Sequence, residues 1–502
     1  MVRELKEETL DPEDWDDMRA LGHRMLDDMM EYQRTSRDRP AYKTFENAIE
    51  SLKEKAPRDP QGPEKAYNDF NNILLENFPA PLNHPRFWGW VAGTPSPSGM
   101  LYDMLTGALN QTTEFPIDLT MHIERQTINW IKEILGYPMQ SSGLFVGGAS
   151  TASLIGLTVA RNTRAGYDIR KKGVLKPSAM TYYCSSEVHM AMQKTLELIG
   201  VGDENLRRVP VDSDFKIQTR ALEKMIKEDR RSGKEPICVV GTAGTVNTGA
   251  FDDFEALYDV CCDEQLWFHV DGAFGIWTRL APRLRRLTKG VEKADSLAFD
   301  LHKWISLTYD IGCVLVRDEA AHLKAFAVAP DYLKTSGVKA SGIQDYGIDL
   351  SRRFRALKVW MSFKEHGTKK YGELVQQNVD QARYLEGLVS NAPDLELLAP
   401  VSLNIVCFRY VHEGLNEEQI DDLNNLILLA LYLDGIAMPS STKINGKFAI
   451  RFCTVNHRTR QEDIDYFIKE VRRLGTILLN ETTAKEYMRR YNQFLETISK
   501  IS

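Results

Sequence analysis

The stretch Trp267-Phe268-His269-Val270-Asp271-Gly272-Ala273 predicts an apolar strand that ends in an acidic residue followed by two small ones. A second apolar run, Ser296-Leu297-Ala298-Phe299, comes next along the chain. Other short apolar or β-branched runs alternate with helical patterns, at residues 144–146, 237–240 and 313–316. Strands that alternate with helices are typical of a mostly parallel sheet covered by helices on both faces. The sequence therefore predicts an α/β fold for the central region.

The chain divides into three regions of different pattern. Residues 1–90 predict an N-terminal helical arm, which has little core of its own and is expected to wrap a partner subunit. Residues 91–375 predict a large sheet domain. Residues 376–502 predict a small C-terminal α+β domain, with Asn445-Gly446 as a turn signal. Its predicted strands cover residues 403–410 and 448–454, and its predicted helices cover residues 417–433 and 460–478.

The overall composition excludes several classes of protein. Hydrophobic residues make up 43% of the 502 and charged residues 26%, which is ordinary for a globular protein. The net charge of −7 argues against a nucleic-acid partner. The seven cysteines lack metal-ligand spacing, which favours free thiols in a reducing compartment. Because the N-terminus is too charged for a signal peptide and no apolar run could span a bilayer, we expect a cytoplasmic protein without metal or membrane partners.

Lys303 lies in the run Asp300-Leu301-His302-Lys303-Trp304, close behind the second apolar run. A single lysine is usually a surface residue. Asp271 changes that interpretation, because ligands of open α/β sheets bind beyond the carboxyl ends of the strands. A lysine that forms an imine and an acid that keeps a pyridine nitrogen protonated are what pyridoxal 5′-phosphate requires. Ala273 is small enough for a flat ring to lie above it.

Two further segments suit the same cofactor. Gly147-Gly148-Ala149-Ser150 stands between a predicted strand and a predicted helix, so its backbone amides are candidates for binding a phosphate. An ordinary strand-to-helix turn with a serine cap explains this segment at least as well when it is taken alone. His189 stands near another predicted helix start and is a candidate for stacking on the ring, although such a histidine is more often structural.

Together these motifs resemble those of the group II pyridoxal-phosphate-dependent amino-acid decarboxylases, in particular the aromatic-L-amino-acid decarboxylases. The matching segments follow the family's order over most of the chain: Asn83-His84-Pro85-Arg86-Phe87, Gly147 to Ser150, Ser186 to His189, Gly244-Thr245, His269 to Ala273, His302-Lys303-Trp304, Pro330-Asp331-Tyr332-Leu333 and Arg352-Arg353-Phe354-Arg355. The resemblance implies the fold type I architecture of pyridoxal-phosphate-dependent transferases and a homodimer with shared active sites.

The resemblance also implies a role for each matching residue. Lys303, His189 and Tyr332 are the implied catalytic residues, and Tyr332 would return a proton to the substrate carbon after carbon dioxide leaves. The implied cofactor-binding residues are Ala149, Ser150, His189, Thr245, Asp271, Ala273, His302, Lys303 and, from the partner subunit, Ser351. Two positions depart from the family: Val246 replaces a frequent second threonine, and Asp300 replaces an asparagine common in animal members.

The substrate end is the least determined part of the predicted site. The candidates are Phe87, Trp90, Thr94 and Thr112, and aromatic lining suits an aromatic substrate. The same aromatic residues are also suited to packing at a dimer interface. We expect decarboxylation of an L-amino acid of the tyrosine, dopa, phenylalanine or tryptophan type. The alternatives are a histidine or glutamate decarboxylase, an aldehyde synthase and, remotely, a non-catalytic regulatory relative.

Overall fold

The fold is described by a computed structural model that covers residues 8–45, 48, 51–77, 81–112, 119–176, 179–328 and 342–499. These residues contain twelve strands in two sheets. The strands are β1 (Phe87–Trp88), β2 (Ser142–Val146), β3 (Met180–Ser185), β4 (Leu206–Val209), β5 (Glu235–Thr242), β6 (Trp267–Asp271), β7 (Ser296–Asp300), β8 (Gly312–Val316), β9 (Leu395–Leu397), β10 (Ile405–Tyr410), β11 (Met438–Ile444) and β12 (Lys447–Cys453).

The larger sheet has seven strands in the order β2-β8-β7-β6-β5-β3-β4. The pairs from β7 to β4 are parallel, whereas β8 runs antiparallel to both of its neighbours. All residues of β6, β7 and β8 are buried, as expected for strands that are covered on both faces. The predicted α/β class is confirmed, with the antiparallel β8 as the exception to parallel pairing.

The helices cover this sheet and build the ends of the chain. They are α1 (Trp15–Arg34), α2 (Pro63–Asp69), α3 (Pro97–Leu109), α4 (Leu119–Leu135), α5 (Ala149–Arg164), α6 (Ile169–Lys172), α7 (Ala191–Leu198), α8 (Thr219–Arg231), α9 (Phe254–Asp263), α10 (Glu319–Phe326), α11 (Ala356–Ser390), α12 (Glu417–Leu433), α13 (Gln461–Ile477) and α14 (Glu481–Ser499). Helix α5 packs across β7 and β8, and buries Ala152, Ile155 and Val159 on that face.

The smaller sheet has the order β1-β11-β12-β10-β9. Asn445 and Gly446 form the tight turn between β11 and β12, both with positive φ angles of 49° and 84°. Such angles suit asparagine and glycine in a two-residue hairpin. β1 comes from the region predicted to be the arm, yet it pairs in parallel with β11.

The predicted division at residue 375 falls inside α11, which is kinked at Gly367 (φ 71°) and continues to Ser390. A boundary inside a continuous helix does not mark where one domain ends, and the three-region division stays a prediction. Among the described residues, the helices include none with both the length and the apolar character needed to cross a membrane.

Candidate active site

Two acidic residues end neighbouring parallel strands at the same edge of the large sheet. Asp271 is the last residue of β6 and Asp300 the last residue of β7, and Asp271 pairs with Ala298 in the register of the two strands. Lys303 follows three residues after Asp300. The carboxyl ends of parallel strands are where open α/β sheets bind their ligands. The strand order thus brings the predicted lysine and acid to one place.

Asp271 is buried, and one of its carboxylate oxygens accepts the amide hydrogen of Ala273 at 3.0 Å. Burial raises the pKa of Asp271, whereas the Ala273 amide and the charges of Lys303 and His189 lower it. A carboxylate enclosed in this way favours a protonated partner placed against it. The surroundings of Asp271 therefore suit the nitrogen of a pyridine ring.

Lys303 forms an ion pair with Asp300, with 3.1 Å between Nζ and Oδ2. Its side chain is 20% exposed, which leaves the amine open to a small molecule. The other oxygen of Asp300, Oδ1, accepts the amide hydrogen of Ala149 at 2.6 Å. Asp300 thus points into the site and joins the first residue of α5 to the lysine.

The glycine turn before α5 lies close to its neighbours. A Cβ on Gly147 would lie 2.7 Å from Asp310 Oδ2, whereas one on Gly148 would make ordinary contacts at 3.5 Å with Asp300 Oδ1 and 3.6 Å with His302 Cε1. A Cβ on the neighbouring Gly312 would lie 2.5 Å from the carbonyl carbon of Gly148. Ser150 is exposed at the start of α5. Bare backbone at a helix N-terminus, next to an exposed hydroxyl, is the arrangement that favours a bound phosphate.

His302 is held between the backbone and an aromatic ring. Its Nδ1 accepts the amide hydrogen of Ile311 at 3.1 Å, and its ring lies 4.3 Å from that of Tyr309, centroid to centroid. The remaining nitrogen, Nε2, is 3.7 Å from Asp300 Oδ1 and therefore faces the glycine turn. Burial lowers the pKa of His302, although Asp300 raises it.

His189 lies among the same charges. Surrounding protein desolvates its ring and lowers its pKa, the carboxylate of Asp271 raises it, and Lys303 lowers it again. Its Nδ1 accepts the amide hydrogen of Ala191 at 3.2 Å, which fixes the ring at the start of α7. His189 as a residue is nevertheless exposed, so its ring is accessible to a ligand that also contacts Asp271 and Lys303.

Thr245 has a different surrounding from the one predicted for a cofactor contact. It is fully buried, and its hydroxyl shares a hydrogen bond of 3.0 Å with Thr248 and accepts the amide hydrogen of Ala250. The Thr245 hydroxyl therefore makes its hydrogen bonds within its own turn and is not directed at the predicted cofactor.

The four substrate candidates are in different surroundings. Phe87 is buried in β1, and the buried Thr94 donates its hydroxyl hydrogen to Leu82 O at 2.8 Å. Trp90 is 60% exposed, and Thr112 is also exposed. One contact connects this region to the site: a Cβ on Gly93 would lie 2.0 Å from the carbonyl oxygen of Lys303. The segment that carries Trp90 and Thr94 thus lies against the backbone of the lysine.

Of the two remaining predicted site residues, Ser351 is described and Tyr332 is not. Ser351 is exposed, as a residue that reaches a partner subunit would be. Tyr332 lies outside the described residues.

Arg451 is a residue near the site that the sequence reasoning missed. It is buried, and it donates to Trp90 O at 2.8 Å, to Ser440 Oγ at 3.0 Å and to Val246 O. It therefore ties the small sheet to the turn after Thr245 and to the backbone of Trp90. An arginine between Ile450 and Phe452, in a predicted apolar strand, was the signal that could have revealed it.

The residues present fit pyridoxal phosphate. The open amine of Lys303 can form the imine, and the buried Asp271 can face the pyridine nitrogen. The turn Gly147-Gly148 with the start of α5, called here the glycine cradle, can bind the phosphate. One feature of the glycine cradle stands out: the amide of Ala149, the first in α5, already donates its hydrogen to Asp300.

Comparisons with known proteins agree with this chemistry. The pyridoxal-dependent decarboxylase conserved domain matches residues 46–411. The aromatic-L-amino-acid decarboxylase of Bacillus atrophaeus is 34% identical over 468 residues, covering 92% of this chain and 96% of that protein. Tyrosine decarboxylase 4 of Petroselinum crispum is 29% identical over 463 residues, covering 88% of this chain and 90% of that protein.

A solved structure supports the fold. The crystal structure of Oryza sativa TDC with PLP and tryptamine superimposes with a TM-score of 0.87 at 24% identity, covering 94% of this chain and 100% of that one. The predicted family and cofactor are confirmed by the domain match and by the Bacillus relative. The chain belongs to the pyridoxal-dependent decarboxylase family and is a carboxy-lyase whose cofactor is pyridoxal phosphate.

Proposed function

We propose that this protein decarboxylates an aromatic L-amino acid to its amine, with Lys303 as the residue that carries the cofactor. The observation that carries the proposal is the position of the Lys303 amine, 3.1 Å from Asp300 and within the electrostatic reach of Asp271 and His189. The aromatic substrate is supported by the names of the relatives, which include an aromatic-L-amino-acid and a tyrosine decarboxylase.

The residues that would hold the cofactor surround Lys303. Asp271 would face the pyridine nitrogen, His189 and Ala273 would flank the ring, and Ser150 and His302 would bind the phosphate at the start of α5. We include Ala149 through its amide, Thr245 through its backbone turn, and Ser351 from the partner subunit. When bound, pyridoxal phosphate supplies an electron-withdrawing ring that stabilises the charge left as carbon dioxide departs.

The protein's own part in the reaction is to control protons and orientation. The enclosed carboxylate of Asp271 would hold a proton on the pyridine nitrogen, because a positive partner relieves the cost of burying its charge. Surrounding protein keeps the pKa of His189 low, so its ring is neutral near neutral pH and suited to stacking. Tyr332 is proposed as the residue that returns a proton to the substrate carbon.

The assembly is proposed to be a homodimer. In α1, Leu21 is buried, while Trp15 is 64% and Met18 37% exposed, so the arm presents large apolar side chains that a second subunit could cover. Trp90, exposed beside the buried Phe87, is the aromatic residue best placed to reach across such an interface toward a substrate. Thr94 and Thr112 are proposed as its neighbours at the substrate end.

A product-resolved assay tests the proposal. The purified enzyme is incubated with tyrosine, dopa, phenylalanine, tryptophan, histidine and glutamate, and carbon dioxide, amine, aldehyde and hydrogen peroxide are measured for each. We expect carbon dioxide and amine in equal amounts from at least one aromatic substrate. Lys303→Ala should abolish both the turnover and the visible absorbance of the bound cofactor.

Lys293→Ala is the matched control, because Lys293 is a partly exposed lysine that precedes β7. It should retain the activity and the absorbance of the wild type. Aldehyde and peroxide in place of amine would identify an aldehyde synthase instead. Turnover confined to histidine or glutamate would refute the aromatic assignment.

A further inference from the structure

Asp300 connects the two ends of the cofactor site through its two carboxylate oxygens. The residue is 3% exposed. Oδ1 accepts the amide hydrogen of Ala149 at 2.6 Å, and Oδ2 lies 3.1 Å from the amine of Lys303. The first contact is at the N-terminus of α5, and the second is at the residue that carries the cofactor. The carboxylate of Asp300 therefore contacts both the proposed phosphate site at Ala149 and the amine of Lys303.

The contact with Ala149 places a negative charge where another anion is to bind. A helix N-terminus attracts a phosphate through its free amides, and the amide of Ala149 is the first of these in α5. A short hydrogen bond to a carboxylate is charge-assisted and stronger than a neutral one. A phosphate and Asp300 would thus compete for the same hydrogen and repel each other at close range.

The surroundings offset only part of this charge. Within the described part of the chain, the groups of opposite charge that pair with Asp300 are Lys303 and His302. His302 is kept largely neutral because burial lowers its pKa, and the pKa of the adjacent Tyr309 is raised to about 12, so its hydroxyl stays uncharged. Asp271 contributes a second negative charge nearby. The amine of Lys303, moreover, loses its freedom to pair with Asp300 when it holds the cofactor.

We propose that Asp300 is an affinity-setting residue that weakens the hold on the cofactor's phosphate, by occupying the Ala149 amide and adding negative charge to the phosphate site. The proposal rests on the assignment of this site to the cofactor under the proposed function. As a consequence, bound pyridoxal phosphate would dissociate and be replaced from solution more readily than it would from the same site without the Asp300 carboxylate.

The test is a comparison of binding constants for Asp300→Asn and the wild type. The full-length enzyme is stripped of cofactor and titrated separately with inorganic phosphate, pyridoxal and pyridoxal phosphate. Calorimetry measures phosphate binding, and visible absorbance measures the other two. Removing one charge at this range should tighten the binding of pyridoxal phosphate by at least about tenfold, and phosphate alone should also bind more tightly. Pyridoxal, which lacks the phosphate, should gain much less.

Asp310→Asn is the matched control. Asp310 lies beside the same turn, with its Oδ2 2.7 Å from a Cβ built on Gly147, but its carboxylate pairs with Arg355 at 3.3 Å. An asparagine at position 300 can still accept the Ala149 amide hydrogen, so Asp300→Asn and Asp310→Asn each remove one charge near the turn. Because the charge of Asp310 is already offset by Arg355 and does not contact the Ala149 amide, its removal should change phosphate affinity much less. Asp300→Ser, which also removes the carboxylate, repeats the test if the asparagine variant folds poorly.

Three results would overturn the proposal: unchanged or weaker phosphate affinity in Asp300→Asn, an equal gain in Asp310→Asn, or an equal gain for pyridoxal. The last would place the effect at Lys303 rather than at the phosphate site. None of these measurements uses an amino-acid substrate. A failure of the proposed aromatic specificity would therefore leave this test intact.

Discussion

Arg352 and Glu124 form an ion pair of 2.8 Å between side chains that are 2% and 0% exposed. Both also bind the backbone of Phe145: Glu124 Oε1 accepts its amide hydrogen at 3.2 Å, and Arg352 donates to its carbonyl oxygen at 2.6 Å. Phe145 belongs to β2, which leads directly into the glycine turn at Gly147. The buried pair therefore fixes the strand that positions the proposed phosphate site.

Removing Glu124 should be strongly destabilising. In Glu124→Ala the buried guanidinium of Arg352 loses the carboxylate that offsets its charge, which costs about 3–5 kcal/mol of unfolding free energy. Thermal unfolding should show a markedly lower midpoint, and the protein that remains folded should bind pyridoxal phosphate more weakly. Asp380→Asn is the control, because Asp380 pairs with Arg283 at the exposed surface and such pairs contribute about 1 kcal/mol or less. Equal midpoints for the two variants would contradict this role.

Gly93→Ala should damage the cofactor site without a change of charge. The new methyl group would lie 2.0 Å from Lys303 O and 2.4 Å from His302 O, so the segment after Trp90 must move away from the lysine. We expect loss of most of the visible absorbance of the bound cofactor. Gly387→Ala is the control in α11, where the added Cβ would have no atom within 4 Å apart from its chain neighbours and the backbone of its own helix. That exchange should instead stabilise the helix by roughly 0.5–1 kcal/mol. Full absorbance in Gly93→Ala would contradict this prediction, because it would show that the segment can shift without disturbing the cofactor site.

The sequence predicted the elements that depend on local pattern. The strand predicted to end at Asp271 is β6, and the apolar run at 296–299 is β7, which extends one residue further to Asp300. The helix predicted at 417–433 coincides with α12, because its amphipathic period and its asparagine cap are both local. Asp271 and Lys303 could be brought together because neighbouring parallel strands end at the same edge.

Contacts between distant segments could not be predicted in this way. Asp300 bonds to an amide 151 residues earlier, and Arg352 pairs with a glutamate 228 residues earlier. The sequence could not show whether the Asp300 side chain points toward or away from the phosphate site. The orientation of a side chain at the end of a strand depends on the strands and turns that pack around it. The hydroxyl of Thr245 is a different case, because its partners Thr248 and Ala250 are near in sequence. Its hydrogen bonds depend on the path of the turn, which the residue types alone did not determine.

Asp271→Asn should lower the turnover rate far more than the affinity for substrate. The amide keeps the shape of the side chain and can still accept from Ala273, but it cannot supply the negative charge that holds a proton on a ring nitrogen. Losing one such preorganised electrostatic contact costs about 100- to 1000-fold in kcat. Steady-state kinetics and the visible spectrum measure the change together. Asp271→Glu retains the charge and should recover part of the rate, whereas an unaffected kcat in Asp271→Asn would exclude this function.

His322 should make the fold sensitive to acid. Burial lowers its pKa from the ordinary 6.5 to about 4, and its ring nitrogen Nδ1 is hydrogen-bonded to Ser142 Oγ at 2.8 Å. Below pH 6.5 the unfolded chain binds a proton at this position that the folded chain does not, so acidification favours unfolding. The loss of stability begins as the pH falls below about 7 and is complete below about pH 4. Within that window one such histidine contributes a slope of about 1.4 kcal/mol per pH unit.

Chemical unfolding of the wild type and of His322→Gln between pH 4 and pH 8 measures this contribution. At pH 8 the two proteins differ only by the contacts of the ring, since the histidine is neutral in both the folded and the unfolded chain. As the pH falls below 6.5, the wild type should lose stability faster than the variant, because glutamine has no proton to take up. Buried histidines such as His269 and His84, whose pKa values are lowered to about 3, continue to destabilise both proteins equally in acid. The difference between the two curves therefore isolates His322, and curves that stay parallel over the whole range would mean that its ring titrates freely in the folded protein.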